Sequence, residues 1–258
     1  MELHEIEEKG RRSPVIPGEI TVSLFVPCFI DQLYPQTALN MVKVLQKLGC
    51  DVDYNLNQTC CGQPAFNAGF WDDAKDVCTK FIKDFKGADY IVAPSASCVG
   101  FVRNYYSKLF DNSSFHNDVK DLQKKTFEFS EFLVNVLQID NVGASFHEKV
   151  TYHDSCAGLR ECRIKEEPRR LLSKVKGLEL VEMKDVETCC GFGGSFAVKF
   201  EPISIGMADQ KCTNAIESGA SCIVSTDISC LMHLDGYINH KGLSIQTMHI
   251  ADVLASGW

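Results

Sequence analysis

Thr59-Cys60-Cys61-Gly62-Gln63 and its later counterpart Thr188-Cys189-Cys190-Gly191-Phe192 decide how this chain is read. Each Cys-Cys-Gly follows a lone cysteine, Cys28 or Cys156, by 32 or 33 positions. Each is followed by a last cysteine, Cys98 or Cys230, 37 or 40 positions beyond the second cysteine of the pair. Two sets of four thiols at matching offsets predict two metal sites on two versions of one fold.

The repeat extends outward from the cysteines. Residues 21–26 (TVSLFV) and 150–152 (VTY) are β-like runs that lead to the lone cysteines. A helix is expected after each. Pro35 opens one and Gly49 closes it; Pro168 opens the other and Gly177 closes it. Second strands are expected near 51–55 and 178–183. Beyond each Cys-Cys-Gly comes an amphipathic helix. One carries Ala74, Val77, Cys78, Phe81, Ile82 and Phe85 inward, the other Ile205, Ala208, Cys212, Ala215 and Ile216. ADYIVAPSASC (88–98) then mirrors ASCIVSTDISC (220–230), and FEFSEFL (127–133) mirrors MHIADVL (248–254).

The order β-α-β-α-β-α in each half predicts an α/β protein of two pseudo-symmetric repeats, each a small parallel sheet flanked by helices with cysteines at the strand ends. Open α/β sheets carry their ligand sites there. The boundary is expected within 140–147. That gives a flexible N-terminal tail at 1–19, a first cysteine-rich domain at 20–146 and a second at 147–258.

Composition narrows the functions. The chain has 258 residues, is 45% hydrophobic and carries a formal net charge of −8. That balance argues against nucleic acid or anionic lipid as a partner, since both are held by clustered Lys and Arg. The first residues have no apolar stretch of the signal-peptide kind, and no run of about 18 apolar residues marks a transmembrane segment. A cytoplasmic location is therefore expected. Thirteen cysteines in a reducing compartment read as metal ligands plus buried thiols.

Four thiols spread over about 70 residues, two of them adjacent, suit an iron–sulfur cluster held between loops, and glycine after the pair lets backbone approach it. A zinc site is the alternative, but zinc favours Cys-x2–4-Cys knuckles, which these eight cysteines lack. A vicinal disulfide would be strained. Cys78, Cys212 and Cys222 read as core thiols; Cys50 begins a strand and has no second-half counterpart; Cys162, six residues after Cys156, is a spare ligand or, the favoured reading, an incidental thiol. His153 and His233 each stand three residues from a site cysteine, as ligand, tuning group or ordinary polar residue. Ser95 and Asp227, three before the last cysteine of each half, are oxygen ligands or helix caps, with an N-cap the natural reading for Asp227. Gly191, Gly193 and Gly194 read as room for a cluster or a tight turn, and 120–125 (KDLQKK) as a solvated face.

These motifs together resemble the cysteine-rich CCG-domain family, which includes the heterodisulfide reductase B subunit and the iron–sulfur subunit of glycolate oxidase. CCGQPAFNAG (60–69), APSASC (93–98), TCCGFGGSF (188–196), DISC (227–230) and MHIADVL (248–254) are most similar to its lactate-utilisation branch. The resemblance covers about 20–258. It implies an iron–sulfur electron-transfer subunit of a cytosolic L-lactate oxidation complex, working with a larger iron–sulfur protein and a small third subunit. The implied cofactors are two [4Fe–4S] clusters, one on Cys28, Cys60, Cys61 and Cys98, the other on Cys156, Cys189, Cys190 and Cys230. His153, Ser95 and Asp227 are possible extra ligands. The heterodisulfide reductase relative ends each half with Cys-x2-Cys. Here Ser95 and Asp227 replace the first cysteine of that pair, leaving four thiols per half where the relative has five. A zinc-stapled scaffold and a cluster-based thiol–disulfide oxidoreductase are the competing functions, and no catalytic residue is assigned.

Overall fold

The computed structural model describes residues 20–257, so the expected tail at 1–19 lies outside the described residues. The first half runs β1 (Thr21–Leu24), α1 (Cys28–Leu33), α2 (Pro35–Lys47), β2 (Asp51–Asp53), α3 (Gln63–Ala68), α4 (Trp71–Asp84), β3 (Tyr90–Ala93), α5 (Ala96–Phe110), α6 (His116–Lys125), β4 (Thr126–Glu128) and α7 (Phe129–Glu131). A π-helical turn, Phe132–Val136, extends α7. The second half begins with β5 (Lys149–Tyr152) and a π-helical turn, Ala157–Cys162. It continues as α8 (Glu166–Leu172), β6 (Glu179–Leu180), α9 (Ser195–Lys199), α10 (Glu201–Glu217), β7 (Cys222–Ser225), α11 (Ile228–Lys241), β8 (Gln246–His249) and α12 (Ile250–Leu254).

Each half builds one four-stranded parallel sheet, in the order β2-β1-β3-β4 and β6-β5-β7-β8. Val22 pairs with Val52 on one side and Tyr90 on the other; Val150 likewise stands between Leu180 and Cys222. Helices cover both faces of the inner strands, so burial there is nearly continuous in β3, β5 and β7, and all four residues of β7 are buried, whereas β1 (TVSL) still alternates. The strand order reverses between β1 and β3, and between β5 and β7. Crevices at such reversals are where open sheets bind ligands. Cys28 and Cys98 follow β1 and β3, and Cys156 and Cys230 follow β5 and β7.

The helices obey their sequence signals with three differences. Proline at the first position starts α2, and Gly49 (φ 84°) ends it. The second-half helix starts two residues before Pro168 and stops at Leu172. Proline is tolerated there because first-turn N–H groups have no helical partner. The inward face of α10 is also rotated from the expected one: Ser204, Ala208, Lys211, Cys212 and Ala215 are buried, while Ile205 and Ile216 are exposed. The rotation brings the Ser204 hydroxyl to the Gly191 carbonyl (2.8 Å) and the Lys211 ammonium to the carbonyls of Asp185 and Val186 (2.9 and 3.0 Å). Finally, the short helices α3 and α9 interrupt the path from each Cys-Cys-Gly to the long helix, and α6 has no second-half counterpart.

One apolar core runs across both halves. Met41, Val44 and Leu45 of α2 join Leu171, Leu172, Ile250, Val253 and Leu254 of the second half in a single buried cluster. Each such side chain stabilises by about 1.5–3 kcal/mol on burial. Asp252 of α12 accepts hydrogen bonds from Thr37 and Asn40 of α2, both at 2.9 Å. A second cluster, rich in Phe25, Phe81, Phe101, Tyr106 and Phe110, underlies α4 and α5 next to Cys61 and Cys98.

Candidate metal centres

At the first centre, Cys28 opens α1 and Cys98 lies in the first turn of α5, so two central strands deliver two thiols. The loop after β2 brings Cys60 and Cys61. The Sγ atoms of Cys28 and Cys60 are 4.0 Å apart, and the Gly62 N–H donates to Cys60 Sγ at 3.4 Å. Gly62 has φ +91°, and a Cβ there would lie 2.8 Å from Cys78 Sγ and 3.2 Å from the Ala74 carbonyl. The Cys61 carbonyl is held from below by the Tyr106 hydroxyl (2.8 Å) and the Cys78 thiol (3.4 Å). Cys78, which reads as a core thiol, thus packs under the loop.

The second centre repeats this plan. Cys156 precedes the second π-helical turn, Cys230 lies in the first turn of α11, and the loop after β6 carries Cys189 and Cys190. The N–H groups of Gly191 and Phe192 donate to Cys189 and Cys190 Sγ at 3.4 and 3.5 Å. Gly191 has φ +97°, and a Cβ there would lie 2.6 Å from the Ser204 carbonyl. Gly193 and Gly194 also adopt positive φ, making a tight turn into α9. All eight cysteines are free thiols.

Crowded thiols cannot all ionise, and hydrogen bonding decides which does. Cys60 is pulled down to about 3 by the Cys28 thiol, then the Cys61 thiol and the Gly62 N–H. Cys189 is pulled down to about 2 by Cys156, Cys190 and the Gly191 N–H. The donors move the other way: Cys28 and Cys61 are raised chiefly by their hydrogen bonds to Cys60, and Cys156 and Cys190 by theirs to Cys189. Hydrogen bonding within each quartet therefore favours ionisation of the first cysteine of the pair. That is a starting point for cation capture, with further protons released as more thiols ligate.

The candidate polar residues separate clearly. His153 is fully buried; its side chain and those of Cys190 and Cys230 bring potential ligand atoms within 4.8 Å of one another. Among the described residues neither of its ring nitrogens has a hydrogen-bond partner, and burial, then the Lys211 charge, lowers its pKa to about 3. His233 instead has Nε2 3.2 Å from Ser204 Oγ. Asp227 is the N-cap of α11, accepting the Ser229 N–H at 3.2 Å, and it also accepts the Ser97 N–H of α5 at 2.8 Å. Ser95 bridges to Asp227 across the halves, its hydroxyl 3.3 Å from Ser97 Oγ. Cys162, buried, donates to the Ala96 carbonyl at 3.3 Å, and Cys50, Cys212 and Cys222 are core thiols.

The model of the CCG cysteine-rich domain matches twice, over residues 22–103 and 150–235. The chain belongs to the CCG cysteine-rich domain family. Among its relatives is Lactate utilization protein A of Halalkalibacterium halodurans, 44% identical over 233 residues, or 90% of this chain and 96% of the relative. The protein of that name from Bacillus subtilis is 41% identical over 235 residues, 91% of this chain and 99% of the relative. A hypothetical protein from Helicobacter pylori shares the fold, with a TM-score of 0.56 at 13% identity. The match covers 95% of this chain, which spans about half (49%) of that structure.

In this CCG protein the sequence pattern misses three buried groups. Lys211 carried a signal: a lysine between Ala208 and Cys212 on an inward helical stripe. Asp154, fully buried beside the second centre, is paired bidentately by Arg169 at 2.9 and 2.8 Å, and an HDSC tetrapeptide alone does not identify that partner. Glu128, buried, accepts from Thr226 of the other half, a contact that only the packing of two halves creates. Among the described residues, no helix is long and apolar enough to cross a membrane.

Proposed function

We propose that this chain is an iron–sulfur electron-transfer subunit of a cytoplasmic L-lactate oxidation system. The observation that carries the reading is the gathering of eight free thiols into two matched quartets at the sheet switch points, in a chain whose relatives of over 40% identity are lactate utilization proteins.

The donor sets fit the group. Cys28, Cys60, Cys61 and Cys98 would hold one [4Fe–4S] cluster, and Cys156, Cys189, Cys190 and Cys230 the other, since four thiolates complete such a cluster. Bound clusters would supply one-electron chemistry. The chain supplies the rest: backbone N–H groups of Gly62, Gly191 and Phe192 directed at sulfur, and glycines that leave room beside each pair. Two cysteine-rich domains, 20–146 and 147–258, would each own one centre. Asp227 is already engaged as a cap, which favours four thiols alone over a carboxylate-completed site. The companions would be a larger iron–sulfur protein and a small third subunit.

The test is spectroscopic. Protein purified without oxygen and mixed with the other components of the system should lose its visible absorption on addition of L-lactate. Full retention of colour under those conditions, with dithionite still bleaching the sample, would remove the lactate assignment.

A further inference from the structure

The two centres differ at positions the repeat makes equivalent. The N–H of Phe25 donates to the Val92 carbonyl at 3.0 Å and that of His153 to the Val224 carbonyl at 2.8 Å; each residue stands three before its lone cysteine. The glycines set the register of the long helices in the same way. The carbonyls nearest a Cβ on Gly62 and on Gly191 are those of Ala74 and Ser204. Seven residues further on stand Phe81 and Lys211.

In the first half these two positions make an apolar contact: the rings of Phe25 and Phe81 meet edge to face, 4.9 Å between centroids, in the same cluster as Cys61 and Cys98. In the second half they hold His153 and Lys211, 0% and 1% exposed. Replacing packed rings by buried polar groups is costly unless those groups are satisfied. Lys211 donates to the Asp185 and Val186 carbonyls and has a third proton to give. Its charge acts on Cys190 and Cys189. Among the described residues His153 has no partner at either nitrogen, although a neutral imidazole still carries one N–H, and an unsatisfied buried donor is destabilising. The acceptors at hand are the sulfurs of the second centre.

We propose that His153 and Lys211 form a polar seat for added negative charge at the second centre, so that an iron–sulfur cluster there has a higher reduction potential than one at the first. The inference rests on the iron–sulfur reading above. One-electron reduction adds a negative charge, and N–H donors and cations near sulfur favour the reduced state, whereas Phe25 and Phe81 offer neither. Of the neighbouring acids, Asp154 is neutralised by Arg169, and Asp227 opposes the effect at Cys156 and Cys230 while spread over the donors of Ser97 and Ser229.

The experiment is an anaerobic redox titration of the full chain, followed by EPR, with iron and sulfide counted in each sample. C60S/C61S retains the second centre and C189S/C190S the first. Two waves are expected in the wild type, the higher one surviving in C60S/C61S. In that background H153F and K211M should each shift the wave to lower potential at unchanged iron content, and H153N, which keeps an N–H, should shift it less than H153F. Coincident waves, the higher wave in C189S/C190S, or unshifted waves in H153F and K211M would overturn the inference. If H153F loses its iron or fails to fold, K211M decides alone, and an unshifted wave there overturns it. A wild type without iron at either centre would instead sink the iron–sulfur reading, whereas two clusters at one potential sink only this ordering.

Discussion

The Asp227 carboxylate accepts the Ser97 N–H at 2.8 Å, so a side chain of the second half caps a helix of the first. The same carboxylate accepts the N–H and hydroxyl of Ser229 at 3.2 and 2.6 Å. It therefore ties together the starts of α5 and α11, the helices whose first turns carry Cys98 and Cys230. Ser95, its structural equivalent, makes no side-chain cap on α5. One acid serves both helices where strict symmetry would need two.

Asp227→Ala removes both caps, each worth about 1 kcal/mol, and leaves buried N–H groups unsatisfied. The expected loss is roughly 2 kcal/mol or more, read from the denaturant midpoint. The two caps use different carboxylate oxygens, so Asp227→Asn, with one acceptor oxygen, should lose about half as much. An Asp227→Ala protein as stable as wild type would contradict the shared cap.

Gly191→Ala places a Cβ 2.6 Å from a backbone carbonyl at φ +97°. Strain of this kind costs about 1–3 kcal/mol before the clash is counted. Iron should be lost from the second centre and kept at the first, halving the iron per chain. Full occupancy in Gly191→Ala would show that the loop does not need its left-handed glycine.

Glu128 is buried against Thr226, Ser130 and the Glu131 N–H, and burial raises its pKa from 4.5 to about 7. A raised carboxyl binds its proton more tightly in the folded state, so its contribution is full below pH 4.5 and is lost as pH rises to 7. The charged neighbour is Glu131, itself paired to Arg103 at 2.9 Å, while burial keeps the nearby Tyr152 phenol neutral. His153 and His249, with lowered pKa values, work in the opposite sense as pH falls below 6.5. The readout is therefore the difference between wild type and Glu128→Gln. The variant should gain relative stability of roughly 3 kcal/mol between pH 4.5 and 7. A difference independent of pH would place the Glu128 pKa near its ordinary value.

In the reduced, metal-free chain, alkylation at pH 5 should concentrate on Cys60 and Cys189 among the 13 cysteines, because hydrogen bonds from neighbouring thiols and N–H groups lower the pKa of those two. Peptide mapping reads this directly. Equal labelling of Cys28 and Cys60 would refute the hydrogen-bond order within the quartet.

The extent to which the sequence anticipates this structure follows from where each constraint lies. Strand runs before Cys28 and Cys156, the Pro35 and Gly49 helix bounds and the capping role of Asp227 are local, so they are legible residue by residue. The Ser97 partner of Asp227, the Thr226 partner of Glu128 and the Phe25–Phe81 against His153–Lys211 exchange arise only when distant segments pack. The face of α10 departs from the periodic expectation because hydrophobicity alone places isoleucine inside and lysine outside; Ile205 and Ile216 are exposed while Lys211 finds two carbonyls inside. Short helices α3 and α9 escape periodicity because neither reaches two full turns.

The most direct test of the central claim is the iron and acid-labile sulfide content of wild type and of Cys60→Ser/Cys61→Ser, both purified without oxygen. Two independent centres predict iron and sulfide together in the wild type, half of each in the double variant, and a surviving signal from the second centre. Zinc without sulfide, or loss of all iron when only the first pair is changed, would contradict it.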